Sequence, residues 1–349
     1  MTKKFGIIGC GMIAGFHAKA IQAAGGTLTA CYDTRTEAAD KLAEQFQGCK
    51  SYHDFKEFLA DKSIEIVTIG TPSGAHLEPA VACAEAGKHI IVEKPLEVTL
   101  ERCKQIIDAC KKNNVLVATV FHSRFHDSSL ALKSAIDAGR FGRLTLGDAI
   151  VKWYRTQQYY DSGAWRGTWA LDGGGALMNQ GIHTIDLLTW FMGPVAEVTA
   201  HTALLAHTNI EVEDTAVATL KFANGALGTI VGTTAAYPGY LKRIEISGDK
   251  GSAIFEEEDI IRWDFAEELP EDAAIKEAMA NKKSGGGGAS DPAAISYIGQ
   301  TRLFANMMAA IDGKEKIVVD GHEAMRSVEI ILAIYESAKM GKMVKLPLR

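Results

Sequence analysis

The sequence lacks several features that mark large classes of protein. It contains no run of 18 or more apolar residues, so it predicts no membrane-spanning helix and no membrane partner. Lysine and arginine (37) are fewer than aspartate and glutamate (43), and a net charge of −6 gives no indication of a nucleic-acid partner. A strand-like pattern begins within a few residues of Met1 and leaves no room for a signal peptide. We therefore expect a cytoplasmic protein.

The six cysteines argue against a metal site. None of the six forms a CxxC pair, and we predict no metal site from them. All lie before residue 111, mostly in apolar patterns, and we expect buried, reduced thiols of a cytoplasmic protein: Cys10, Cys31, Cys49, Cys83, Cys103 and Cys110. Every tryptophan, in contrast, follows residue 152. The two parts of the chain are predicted to be different domains.

The hydrophobic patterning predicts a different fold class on each side of residue 122. Over 1–122, strand-like runs alternate with amphipathic helices, which is typical of an N-terminal Rossmann domain, a doubly wound parallel sheet covered on both faces. Over 123–349, the pattern changes to β-branched and alternating segments, with Asn224-Gly225 as a hairpin signal. We predict an α+β domain there, for substrate binding and oligomerisation, with an open, mainly antiparallel sheet.

Particular segments carry these predictions. The strands are expected at 5–8, 27–32, 64–70, 89–92 and 115–121 in the first domain, and at 195–205, 214–223, 226–236, 242–247, 252–256 and 260–265 in the second. Helices at about 127–138, 176–192, 298–312 and 321–340 are expected to cover one face of the second sheet. The glycine-rich segment 284–290 is interpreted as a surface loop or a lid hinge.

The first βαβ unit carries a dinucleotide-binding pattern. Gly9 allows the tight turn after the first strand, and Gly11 lets the backbone approach a pyrophosphate. Met12 and Ile13 open the following helix, whose first N–H groups can hold the phosphates. A nicotinamide cofactor is therefore predicted. A doubly wound domain that has kept the turn and lost the ligand would show the same pattern.

Asp33 ends the second strand of this unit. It lies 22 residues after Gly11, near the spacing of about 20 for an acid that holds the ribose hydroxyls. Its carboxylate would repel a 2′-phosphate, so we predict NAD as the cofactor. Arg35 stands two residues on and leaves NADP possible.

Three further segments follow strand ends, where a doubly wound sheet presents its ligands. The first two supply the remaining residues predicted to bind the cofactor: Thr71, Pro72 and His76 in TPSGAH, and Glu93 and Lys94 in EKP. The third is GGG at 173–175, followed by a helical segment with Asn179 and His183.

These motifs together resemble the Gfo/Idh/MocA oxidoreductases, which include glucose–fructose oxidoreductase and inositol dehydrogenase. The resemblance covers nearly the whole chain, from the glycine turn through EKP and Arg124-Phe125 to GGG, His183 and the ending AIYESAKMGKMVKLP. It implies an NAD(P)-dependent dehydrogenase that transfers a hydride between nicotinamide and a secondary hydroxyl. The implied substrate is a small-molecule carbohydrate: a sugar, a cyclitol or a nucleotide sugar.

Lys94 is a candidate catalytic residue. It follows a strand end and precedes a proline that restricts its backbone. A partly desolvated lysine can take a hydroxyl proton as hydride leaves. The alternative is a lysine that only bridges cofactor and protein.

Asn179 and His183, four residues apart, share a face if the segment is helical. The family usually carries an aspartate at the position of Asn179, and an amide cannot act as a base. Asn179 can still orient a hydroxyl. Proton transfer would then depend on His183 or Lys94, unless His183 is only a core histidine.

Aromatic and basic residues before GGG are candidates for substrate binding. Trp165 can stack on a sugar ring, and Arg166 can bind a carboxylate or phosphate. This stretch resembles the branch of the family that includes dehydrogenases of nucleotide-linked amino-sugar acids. The tryptophans could instead be core or subunit contacts. Arg124 is predicted either to face the substrate or to form a structural salt bridge.

The same motifs fit two functions other than a dehydrogenase, and the predicted second sheet indicates an oligomer. Some relatives use NAD for transient oxidation in a net glycoside hydrolysis, which is the first alternative, and a non-enzymatic dinucleotide sensor is the second. The open sheet would leave one apolar face bare, which predicts a homodimer or homotetramer.

Overall fold

A computed structural model of the chain describes residues 2–281 and 297–348. The chain divides into two compact units. The first comprises residues 1–122, 170–173 and 296–328, and the second comprises 123–169, 174–295 and 329–349. The predicted loop at 284–290 lies outside the described residues. Within the described part of the chain, no helix is both long enough and apolar enough to cross a membrane.

The first unit is built on six parallel strands in the order β3-β2-β1-β4-β5-β6. This is the doubly wound arrangement, in which strand order reverses between β1 and β4. The strands are β1 (Lys4–Ile8), β2 (Thr27–Tyr32), β3 (Lys50–Tyr52), β4 (Ile66–Ile69), β5 (His89–Val92) and β6 (Val117–Thr119). The helices are α1 (Met12–Ala23), α2 (Thr36–Gln45), α3 (Phe55–Ala60), α4 (Leu77–Glu85) and α5 (Leu100–Lys112).

The central strands are apolar on both faces because helices cover both sides of the sheet. All four residues of β4 are buried, and so are the last three of β5. A parallel sheet buried in this way reads in sequence as short continuous apolar runs. The predicted strands and their alternation with helices are confirmed in this region, except that β3, with three residues, was not predicted.

A late segment of the chain completes the first unit. Helix α10 (Ile298–Ile311) places the ring of Phe304 5.8 Å from Phe5 in β1 and 5.4 Å from His17 in α1. The prediction that this helix covers a face of the second sheet is wrong. Amphipathic periodicity shows that a helix buries one face, but it does not show which sheet receives that face.

The second unit contains a mixed, mainly antiparallel sheet of eight strands in the order β13-β12-β11-β7-β10-β9-β8-β14. One pair, β7 and β10, is parallel. The strands are β7 (Leu144–Lys152), β8 (Val195–Ala203), β9 (Thr215–Phe222), β10 (Leu227–Thr233), β11 (Arg243–Gly248), β12 (Gly251–Glu256), β13 (Asp259–Phe265) and β14 (Val344–Lys345). The helical elements are α6 (Asp127–Asp137), α7 (Gln157–Asp161), a π-helix (Ala176–Gly181), α8 (Ile182–Met192) and α9 (Asp272–Ala280); α11 (Gly321–Met340) is shared between the units.

Alternation along these strands separates a buried face from an accessible one. In β9, every second residue from Ala216 to Phe222 is buried, and Val217 between them is 47% exposed. Helix α8 packs on β7 and β11. The predicted hairpin at Asn224-Gly225 is present between β9 and β10, with Gly225 at φ 89°. The predicted fold class is confirmed, although β7 and β14 were missed.

Candidate active site

The glycine turn after β1 has the geometry that a dinucleotide requires. Gly9 has φ 88°, and a side chain there would place its Cβ 2.7 Å from the backbone of Gly70, which follows β4. Nothing lies within 4 Å of the position a Cβ would take on Gly11. Gly11 caps helix α1 without a side-chain hydrogen bond, so no side chain competes for the first amides of the helix. The turn therefore fits a pyrophosphate.

Asp33 is held at the end of β2 by backbone groups of the same region. Its Oδ2 accepts a hydrogen bond from the N–H of Cys10 at 2.7 Å, and its Oδ1 accepts one from the N–H of Arg35 at 2.8 Å. The side chain of Arg35 is largely exposed, with its Nε 3.5 Å from Asp33 Oδ1. Asp33 thus presents a fixed carboxylate beside the glycine turn, as a ribose-binding acid requires.

Glu93, at the end of β5, belongs to a buried polar chain that the sequence did not reveal. Its Oε1 lies 2.8 Å from His17 Nε2, and His17 Nδ1 lies 2.9 Å from the hydroxyl of Thr68. Burial raises the pKa of Glu93, but the hydrogen bond and charge of His17 and the charge of Lys94 lower it below its usual range. The ionised carboxylate accepts the N–H of Lys94 through Oε2 at 3.0 Å. This chain fixes the backbone from which the Lys94 side chain extends.

The TPSGAH segment is braced by its own histidine. The two ring nitrogens of His76 lie 2.9 Å from the carbonyl of Pro95 and 3.0 Å from the carbonyl of Thr71. Burial lowers the pKa of His76, which favours the neutral ring, and a neutral ring can donate to one of these carbonyls at a time. The hydroxyl of Thr71 donates to the carbonyl of Ala75 at 2.9 Å, and Pro72 precedes the short 3₁₀ turn. This geometry favours a structural role for His76 rather than the predicted contact with the cofactor.

Asn179 and His183 are more accessible to solvent than the residues around them. From residue 172 to residue 188, all side chains are buried except these two, which are half-buried. Asn179 lies in the π-helix and His183 in the first turn of α8, so the predicted continuous α-helix begins as a π-helix. Widened helical turns of this kind are frequent at functional sites. The pair forms the accessible polar surface of an otherwise buried segment.

Glu213 holds the start of this helical segment. Its carboxylate accepts hydrogen bonds from the N–H groups of Gly175 and Leu177, both at 2.9 Å. A Cβ on Gly175 would lie 1.7 Å from the carbonyl oxygen of Glu213, so the close approach requires glycine there. Burial, the largest effect, raises the pKa of Glu213 to about 7, although these backbone hydrogen bonds and that of Tyr335 lower it.

Arg124 forms a buried ion pair. Its Nε and Nη2 donate to the two carboxylate oxygens of Asp186 at 2.8 and 2.7 Å, and both side chains are almost fully buried. The guanidinium also lies over the ring of Trp190, 5.3 Å from its centroid. Of the two alternatives for Arg124, the structure shows the salt bridge, and its bidentate commitment argues against the predicted contact with substrate.

Arg166 lies among aromatic rings. Its Nη1 donates to the hydroxyl of Tyr159 at 2.7 Å, and its guanidinium is 4.2 Å from the Tyr159 ring and 4.4 Å from the Trp165 ring. Trp165 and Arg166 are both half-buried. The alternative of a fully buried core position does not hold for Trp165.

The cysteines are all free, but two of the six, Cys10 and Cys49, are only half-buried rather than buried as expected. Cys10 is partly accessible because it occupies the glycine turn. Within residues 2–281 and 297–348, no group of three or more His, Cys, Asp or Glu side chains could hold a metal ion.

These features define a dinucleotide-binding protein, and comparison with known proteins places it more closely. The family described as "Oxidoreductase family, NAD-binding Rossmann fold" matches residues 3–121, and the GFO/IDH/MocA C-terminal domain matches residues 129–254. The chain belongs to the Gfo/Idh/MocA oxidoreductases. The predicted family, the oxidoreductase function and NAD as the cofactor are confirmed.

Particular relatives show the range of the family. Myo-inositol 2-dehydrogenase of Thermotoga maritima is 31% identical over 261 residues, which is 71% of this chain and 73% of that protein. The crystal structure of the WlbA dehydrogenase from Bordetella pertussis with NADH and UDP-GlcNAcA is 35% identical, covers 100% of this chain and 99% of that one, and has a TM-score of 0.91. Levoglucosan dehydrogenase with NADH and levoglucosan is 25% identical over both full chains, with a TM-score of 0.84.

Two residues that support predicted site residues were not predicted, because their partners are distant in sequence. His17 lies 76 residues before Glu93, and Glu213 lies 38 residues after Gly175. His17 falls on the helix of the dinucleotide unit and Glu213 follows no motif. No local signal distinguishes either residue from an ordinary core or surface position.

Proposed function

We propose that this protein is an NAD-dependent dehydrogenase of a nucleotide-linked sugar acid, which it oxidises at a secondary hydroxyl. The observation that carries the proposal is the match over essentially full length to the WlbA dehydrogenase, whose crystal structure contains NADH and UDP-GlcNAcA. The arginine-rich aromatic group around Tyr159 supports an acidic substrate over a neutral cyclitol.

The residues of the dinucleotide turn fit the cofactor. Gly9 and Gly11 would give it close backbone approach, Met12 and Ile13 would offer helix amides to the pyrophosphate, and Asp33 would accept the ribose hydroxyls. When bound, NAD supplies the hydride acceptor. Glu93, through its hydrogen bond to the N–H of Lys94, would fix the lysine beside that site.

Lys94, His183 and Asn179 are proposed as the residues that handle the substrate hydroxyl. Lys94 or His183 would take the hydroxyl proton as the carbinol carbon loses its hydride. Asn179 would orient the hydroxyl through its amide. The half-buried position of Asn179 and His183 in a buried segment supports their selection.

Turnover decides the function. The purified protein is incubated with NAD and, separately, UDP-GlcNAcA, UDP-GlcNAc, myo-inositol and levoglucosan, and NADH formation is followed by absorbance. We expect the highest kcat/KM with UDP-GlcNAcA. Preference for inositol or levoglucosan would refute the substrate assignment. Product formation without net change in NADH would favour the glycosidase, and binding without turnover of any carbohydrate would favour the sensor.

We also propose a homodimer or homotetramer located in the cytoplasm, with residues 1–122 binding the cofactor and 123–349 serving substrate binding and assembly. The accessible sheet face supports assembly: Leu146, Val217 and Leu227 are 42%, 47% and 58% exposed, and the register places Leu146 beside Leu227. Six free cysteines suit a reducing compartment.

A further inference from the structure

Several side chains donate hydrogen bonds to the hydroxyl of Tyr159. Arg166 Nη1 donates to it at 2.7 Å and Gln180 Nε2 at 3.2 Å. The side chain of Arg155 forms a further hydrogen bond with Tyr159. Three donors, two of them cationic, therefore converge on one neutral oxygen. Such an arrangement concentrates positive charge around a group that cannot neutralise it.

Arg155 is a buried member of this group. It is 5% exposed, and its guanidinium lies 5.0 Å from the Trp153 ring and 5.5 Å from the Tyr159 ring. Burial lowers the pKa of Arg155, the like charge of Arg166 lowers it further, and the phenols of Tyr159 and Tyr160 raise it. Two guanidinium groups close enough to repel one another are stabilised by an anion placed within reach of both.

The Arg166 guanidinium has more hydrogen-bond donors than acceptors around it. A guanidinium carries five N–H groups, and the hydroxyl of Tyr159 is the one hydrogen-bond acceptor of the Arg166 side chain within the described residues. No carboxylate of those residues pairs with it. Its guanidinium lies over the rings of Tyr159 and Trp165, and these contacts restrict the orientations that the charged fork can take.

Gln180 adds an incompletely satisfied amide. It is 5% exposed, and its Oε1 has no hydrogen-bond partner among the residues that the structure describes. If the amide is flipped, Tyr159 can donate to Oε1 and the NH₂ group is left over instead. In either orientation one polar atom of Gln180, the residue after Asn179, is left without a hydrogen-bond partner among the described residues.

We propose that Arg155, Tyr159, Arg166 and Gln180 form a subsite for an anionic group of the substrate. A planar guanidinium fork matches the two oxygens of a carboxylate or a phosphate. The inference rests on the proposed function and adds to it the residues that select a charged substrate. The anion is either the carboxylate of the sugar acid or its diphosphate, two sources of the same chemistry.

The test measures affinity, and turnover is recorded in parallel. Dissociation constants of UDP-GlcNAcA, UDP-GlcNAc and free glucuronate are measured by isothermal titration calorimetry with NADH present, at low and high salt. The proteins are the wild type, Arg166→Gln, Tyr159→Phe and, as a matched control, Arg262→Gln, which removes an exposed arginine of β13. Tyr159→Phe keeps the ring and removes the oxygen on which the donors converge.

We expect Arg166→Gln to weaken UDP-GlcNAcA binding on the order of tenfold to a hundredfold, as loss of a charged hydrogen-bond partner does. The loss should shrink at high salt, and Arg262→Gln and NADH affinity should be unaffected. A loss shared by UDP-GlcNAc assigns the subsite to the diphosphate. A loss confined to the two acids assigns it to the carboxylate.

Unchanged affinity in both Arg166→Gln and Tyr159→Phe would overturn the subsite, as would an equal loss at low and high salt or a loss of NADH binding. The proposed function fails separately. If the wild type binds UDP-GlcNAcA in this way but does not oxidise it, the subsite holds and the proposed reaction is wrong.

Discussion

The hydroxyl of Tyr335 donates a hydrogen bond to Oε1 of Glu213 at 3.0 Å. The same carboxylate accepts the backbone amides at the start of the segment that carries Asn179 and His183. A buried carboxyl whose pKa is raised to about 7 is thus the support for the two accessible polar residues of this segment. Protonation at neutral pH removes part of its accepting capacity.

Glu213 is expected to make stability depend on pH. Its folded pKa of about 7 lies above the ordinary 4.5, so the folded state binds the proton more tightly. The stabilisation of the folded state by this proton is on the order of 3 kcal/mol. It is fully present below pH 4.5 and is lost as the pH rises through 7. Chemical denaturation from pH 4.5 to 8 should show this decline in wild type and in Glu44→Gln, an exposed control, and a flatter profile in Glu213→Gln. Parallel profiles in all three proteins would contradict it.

Asp33 is expected to select NAD over NADP. Both of its oxygens are fixed by backbone N–H groups, so the negative charge cannot turn away from a 2′-phosphate. Asp33→Ser should lower NAD affinity by about tenfold or more, because a charged hydrogen-bond acceptor is lost, and should raise NADP affinity. Binding isotherms for both cofactors measure this, with Asp108→Ser on the exposed side of α5 as control. Tighter binding of NADP to the wild type would refute the assignment.

Local motifs made part of this site predictable. Gly9 and Asp33 are separated by one βαβ unit, so spacing alone relates them to one ligand. His17 with Glu93 and Glu213 with Gly175 are long-range pairs, and a single sequence holds no signal for which distant groups meet. The role of Arg124 was equally unpredictable. An arginine at this position can bind substrate or form a salt bridge, and the structure pairs it with Asp186, which is 62 residues away. Strand β3 was missed because three residues form no period.

Lys94 is expected to contribute to the chemical step. Its backbone is fixed through Glu93, which lies 2.8 Å from His17. Lys94→Ala should lower kcat by roughly 10²- to 10⁴-fold, as removal of a positioned acid–base group does, with NAD affinity within about tenfold of wild type. Lys104→Ala, an exposed lysine of α5, is the control. A near-normal kcat in Lys94→Ala would make the lysine structural.

The accessible face of the second sheet is expected to be covered by another copy of the chain. Val231 lies beside both Val217 and Ile150 in the sheet register, which extends the apolar face formed by Leu146 and Leu227. Light scattering at micromolar concentration should give a multiple of the single-chain mass. Val217→Lys with Leu227→Lys should lower it, whereas Thr36→Lys at the start of α2 should not. A single-chain mass for the wild type would exclude the assembly.

The last prediction concerns Asn179 and His183, the two half-buried residues of a buried segment. If His183 takes the hydroxyl proton, His183→Ala should lower kcat and kcat/KM together, which marks an interaction made in the transition state. Asn179→Asp introduces a carboxylate four residues before His183 in the same helical segment. That charge favours the protonated imidazole, so the limb of the pH–rate profile that reports the base should move to higher pH.

Together with Asn179→Ser, these variants distinguish His183 from Lys94 as the proton acceptor. Asn179→Ser removes the amide without adding charge, and it should lower the rate with no shift of that limb. A shift in Asn179→Asp alone would therefore be an effect of charge on His183. An unshifted profile in Asn179→Asp together with full activity in His183→Ala would show that the proton passes to Lys94, because Lys94 is the other candidate base.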